Sequence, residues 1–238
     1  MRPSLAISGS LRGVGLKNFV AMMVVVSVAH GCDSGGGSGP DVVGEGRFTL
    51  EAWADNWFAL YVGDRKVAED SVSISTERSF NAERVAFDAD YPLVLNFILK
   101  DYKADDSGLE YIGTDRQQMG DAGFIMQITD SDTGEVVAVS SSAMKCQVIH
   151  KAPLNKDCEK SADPATECMS EISDEPADWK SADHDVSGWE TASEYTAAQV
   201  GTKDGYDEIA WNAAAKLIWT SDLESDNTVL CKLTVAAP

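Results

Sequence analysis

The chain has 238 residues, of which 44% are hydrophobic and 24% charged, a balance that excludes a disordered or fibrous polymer. Nineteen Lys and Arg stand against 39 Asp and Glu, a formal net charge of −20. That acidity argues against a surface for nucleic acid or for anionic lipid headgroups, since both need clustered cations.

Residues 1–31 contain no Asp or Glu, and Arg2, Arg12 and Lys17 make a basic leader. An apolar run over 19–29 follows. It is shorter than the ~20 residues of a membrane-spanning helix and fits a signal-peptide core. Ala29-His30-Gly31-Cys32 then resembles the lipobox of bacterial lipoproteins, where cleavage leaves the cysteine as the lipidated first residue. Gly31 matches that pattern; Ala29 stands where a large aliphatic is usual. The resemblance implies a signal peptide over 1–31, lipidation at Cys32, and anchoring to a membrane of the bacterial cell envelope. The alternative is an ordinary signal peptide that ends near a cysteine. Residues 32–46 are Gly-rich and read as a tether; as a coil, 33–46 would span about 20 Å. Setting Cys32 aside leaves four of the five cysteines, an even number that suits an exported, disulfide-bonded protein.

From Arg47 the hydrophobic period is two. Phe48, Leu50 and Ala52 alternate with Thr49 and Glu51. Leu93, Leu95, Phe97 and Leu99 share a face, as do Val229, Cys231, Leu233 and Val235. Two further runs, 124–129 and 135–140, flank an Asp-rich turn. These patterns predict half-buried strands. Turn signals separate them at Gly63-Asp64, Asp105-Asp106-Ser107-Gly108, Thr133-Gly134 and Asp204-Gly205. The Ala-rich 210–215 is the place for a short helical turn. Residues 47–238 therefore read as one all-β domain, an antiparallel β-sandwich or jelly roll with long polar loops. Cys146 shares a strand face with Met144 and Val148, and Cys231 with Val229 and Leu233, so both point inward and favour a Cys146–Cys231 bridge. Cys158 and Cys168 would staple the polar segment 155–185. Four cysteines allow three pairings, so the other two stay open.

Residues 54–63 carry Asp55-Asn56-Trp57-Phe58, then Leu60-Tyr61-Val62-Gly63. This resembles the strand and turn "DN-x-aromatic-x-LYVNG" of galactose-binding-like jelly rolls. Trp179, Asp185, Ser187, Trp189 and Ala192 are similar to a second, tryptophan-rich segment of those folds, and 215–219 to the strand that often follows it. The order departs from the family, whose tryptophan-rich segment usually precedes the "LYVNG" strand. The resemblance implies a jelly roll and a carbohydrate ligand.

Asp55, Asn56 and Trp57 are the leading ligand-binding candidates, because sugars stack on an aromatic face beside polar groups. The other tryptophans read more readily as core. Tyr111, Asp115, Arg116 and Gln117 lie in a loop of amides, carboxylates and an Arg between glycines, able to give paired hydrogen bonds to hydroxyls. Its alternative is a loop whose groups satisfy one another. Tyr206 is a further aromatic candidate. Asp183, Asp185, Asp204 and Asp207 could supply oxygen ligands to a structural calcium. No P-loop, G-x-S-x-G elbow or G-x-G-x-x-G is present. The leading expectation is a membrane-tethered, non-catalytic β-sandwich that binds carbohydrate or another envelope ligand. A carbohydrate hydrolase using paired carboxylates and a structural envelope interaction protein are the alternatives.

Overall fold

The computed structural model describes residues 46–74 and 80–238. The expected signal peptide, Cys32 and tether residues 33–45 lie outside the described residues.

Fifteen strands follow one another through the described chain. β1 (Phe48–Asp55), β2 (Trp57–Val62) and β3 (Arg65–Glu69) come first, with β2 and β3 joined at Gly63-Asp64. Gly63 has φ +55 there, which a glycine adopts at little cost. β4 (Glu83–Phe87) and β5 (Leu93–Lys100) follow. β6 (Leu109–Glu110) and β7 (Gln118–Met119) form a two-residue ribbon. β8 (Gly123–Asp130), β9 (Val136–Val139) and β10 (Lys145–Lys151) continue the chain. β11 (Glu171–Ile172), β12 (Glu190–Thr191) and β13 (Ser193–Tyr195) are short. β14 (Leu217–Trp219) and β15 (Asp226–Val235) close the series. Helix is confined to α1 (Pro164–Glu167), α2 (Ala197–Val200) and two 3-10 turns. The Ala-rich 210–215 makes only a turn, not a helical segment.

Two antiparallel sheets form a sandwich. One runs β13-β14-β8-β1-β4, with β9 also on β8; the other runs β11-β10-β15-β5-β2-β3, with β12 also on β10. The chain crosses between the sheets repeatedly, with β2–β3 and β8–β9 as antiparallel pairs within one sheet. The inward residues of the expected alternation meet between them. Phe58 and Phe97 of one sheet pack on Phe124 of the other, with ring centroids 5.7 and 5.2 Å apart. Burial of such rings is the main stabilising term here. Both expected disulfides form. Cys146 and Cys231 stand directly opposite each other on β10 and β15, and Cys158–Cys168 closes the loop beside Leu109.

Outer faces depart from the half-buried expectation. Val94, Asn96 and Ile98 of β5 are as buried as the core face. The reason is a third layer: the segment ahead of β12 lays Trp179 and Trp189 on Ile98 and Leu230. Buried polar groups strap it down. Lys232 Nζ donates to the carbonyls of Trp179 (3.0 Å) and Ser181, and Asn96 Nδ2 donates to that of Lys180 at 3.0 Å. On the opposite sheet Trp53 packs with Ile125, Val200 and Leu217, under α2 and the loop beyond it.

Candidate acidic site

Register brings four distant residues to one end of the sandwich. Asp55 is the last residue of β1 and pairs with Gly123, the first of β8. The loop entering β8 is thereby fixed, and it carries Gly120 and Asp121. From the other sheet β5 delivers Asp101, the residue after Lys100. Asn56 secures this junction: its N–H donates to Lys100 O at 3.1 Å and its Oδ1 accepts from Tyr102 N at 2.6 Å. Lys203 arrives from the loop after α2, held by the Trp53 indole, which donates to Asp204 O at 2.9 Å.

One oxygen from each of Asp55, Asp101 and Asp121 lies within 4.8 Å of the other two. Asp55 and Asp101 are 0% and 2% exposed; Asp121 is at the rim. Lys203 Nζ donates to Asp55 Oδ2 at 3.1 Å and to Asp121 Oδ2 at 2.9 Å. Neither Asp101 oxygen, nor Asp55 Oδ1, has a hydrogen-bond partner among the described residues. The nearby Tyr102 N–H, whose hydrogen bond in the structure goes to Asn56 Oδ1, is the least of the influences on Asp101 and the one that pulls it down. A β-carbon on Gly120 would stand 1.7 Å from Asp101 Oδ2, so only glycine leaves room for that carboxylate.

Burial and then the charge of Asp121 push Asp55 up to about 7, against the pull of Lys203. Burial pushes Asp101 well above the usual carboxylate range, reinforced by Asp55, Glu110 and Asp121. For Lys203, burial opposes the charge, but Asp55 and Asp121 outweigh it and hold its pKa above the ordinary lysine value. Beside Asp121 a polar cleft of about 450 Å³ opens, lined by Lys156, Tyr195, Gln199, Asp222 and Glu224 among others.

The other expected site residues scatter. Trp57 is half-buried and packs against the Trp179–Trp189 layer, with Lys100 Nζ 5.1 Å from its ring centroid. Tyr206 packs edge-on against Trp53 and beside Trp211. Gln117 is buried and spent on structure. Its Oε1 accepts from Gly113 N, and its Nε2 donates to Glu159 O and Ser161 O. Arg116 stacks on Tyr111 at 4.2 Å, and Asp115 is exposed beside it. Gln117 thus ties the loop to the backbone of the 159–161 turn, while Asp115 stays at the surface. Asp183, Asp185, Asp204 and Asp207 are all exposed and do not gather into a ligand set. Asp185 accepts from Ser187 N, as a turn residue does. The acidic cluster forms elsewhere and shares only Asp55 with the expected residues. Asp101, Asp121 and Lys203 carry no local motif that would mark them. Comparison of the chain with protein-family models, curated proteins and solved structures finds no match.

Proposed function

We propose that this chain is an exported, membrane-tethered β-sandwich that binds carbohydrate in the polar cleft beside Asp121. The cleft is the observation that carries the reading. Its volume suits a small ligand, and it is lined by the carboxylates of Asp121, Asp222 and Glu224, the Gln199 amide and the Lys156 ammonium. Sugars offer neighbouring hydroxyls that both donate and accept, which this lining complements. The resemblance of 54–63 and 179–195 to galactose-binding-like jelly rolls supports the same ligand class. The lipobox-like Cys32 and the Gly-rich residues behind it support display from a membrane surface.

A glycan panel probed with the purified, disulfide-formed protein tests this. Reproducible binding is expected, weakened at least about tenfold by Lys156→Ala and by Glu224→Gln, two exposed positions whose loss should leave folding intact. Absence of binding to every glycan, or binding indifferent to both substitutions, overturns the cleft as a sugar site.

A further inference from the structure

Three carboxylates meeting in an interior need a counter-charge. Among the described residues, Asp55, Asp101 and Asp121, with Glu110 behind them, face one ammonium, that of Lys203. An acidic cluster alone is common on so acidic a chain. Here, however, Asp101 is 2% exposed and neither of its oxygens has a partner among the described residues. A desolvated carboxylate in that state is costly unless something binds it. Gly120 has no β-carbon and so leaves room for Asp101 Oδ2 to stand there.

We propose that Asp55, Asp101 and Asp121 hold one calcium ion at this end of the sandwich. All the ligand atoms are carboxylate oxygens, which select hard cations over zinc or copper. The oxygens lie within 4.8 Å of one another, close enough for bonds of about 2.4 Å to one calcium, which tolerates an irregular ligand set where magnesium demands a near-octahedral one. The ion supplies the partner that Asp101 lacks and bridges the end of β1 to the end of β5, and so one sheet to the other. Lys203, donating to Asp55 and Asp121 from the rim, is the resident counter-ion that the metal relieves. The site stands whether or not the neighbouring cleft takes a sugar.

Calorimetric titration of the chelator-treated, disulfide-formed protein with calcium chloride, and separately with magnesium chloride, is the test. One calcium per chain is expected, with Asp101→Asn and Asp121→Asn each weakening it at least about tenfold. Calcium should also raise the unfolding temperature of the parent protein, and do so less in each variant. No calcium binding by the parent protein, affinity unchanged in both variants, or magnesium bound as tightly as calcium would overturn the proposal. Asp101→Asn keeps the shape and removes an unpartnered buried charge, so in chelator it should melt no lower than the parent. Should it melt lower, the rim variant Asp121→Asn decides the matter. The glycan panel reads the cleft and the calorimetry reads the ion, so either can fail alone.

Discussion

At Asp101 the interior holds a carboxylate on unfavourable terms, and Asp55 shares them. The pH dependence follows in sign. A carboxyl that keeps its proton up to about 7 when folded, but loses it near 3.8 when unfolded, binds more protons in the folded state between those values. Stability in chelator should therefore fall as pH rises from about 4 to about 7. Asp70 works in the same direction: burial, against the donation from Val72 N, pushes it up to about 7 as well. Urea midpoints at three pH values in that window check this, and a midpoint that climbs with pH contradicts it. Calcium competes with protons for the same oxygens, so its stabilisation should grow across the same window. Gly120→Ala tests the fit from the backbone side. Its methyl group would drive Asp101 from its place, at a cost of about 1–3 kcal/mol. An unchanged unfolding temperature would count against this account of the glycine.

Among the elements, the alternating runs at Phe48, Leu93 and Val229 were legible because one face of each meets the opposite sheet. The burial of Ile98 and Asn96 was not, because it depends on a segment far away in sequence that folds back over β5. Lys232 looks like a solvent-side residue in an alternating strand, yet it is buried and burial lowers its pKa. It serves as the strap for that segment. Lys232→Met should keep the apolar stem, lose the bonds to the carbonyls of Trp179 and Ser181, and loosen the third layer while the sandwich holds. Hydrogen exchange should show faster amides over 176–189 in the variant; unaltered protection there would refute the strap. The two disulfides should differ in weight. Cys146–Cys231 spans a separation of 85 and Cys158–Cys168 one of 10, so chain entropy assigns them ~4–5 and ~3 kcal/mol. Paired Cys→Ala variants compared by denaturant midpoint give the ranking.

For the whole molecule, the proposed lipid anchor predicts that Cys32→Ala shifts the protein from the membrane to the soluble fraction; retention after normal cleavage would remove the anchor from the reading. The sandwich was legible because alternation and turn residues are local signals. Asp55 was singled out for its neighbours Asn56 and Trp57, while its true companions are Asp101 and Asp121. No spacing rule joins those three. They meet because β1 pairs with β8 and because the ends of β1 and β5 are stitched together by Asn56. A site assembled by register across two sheets leaves no motif in any one stretch of chain.

The position of β15 bears on how such a chain comes to be folded at all. The last strand in the sequence lies in the interior of its sheet, between β10 and β5, and carries Cys231 opposite Cys146. A chain threading a pore N-terminus first would reach the far side with that slot still open. Until β15 emerges, the long facing edges of β5 and β10 lack the strand between them, and Cys146 lacks its own partner, Cys231. Such edges recruit foreign strands when left exposed. The earlier strands must therefore wait, guarded or unstructured, for the final ten residues of pairing to arrive. Were the chain exported in that way, nearly all of its described strands would cross before the second sheet could close.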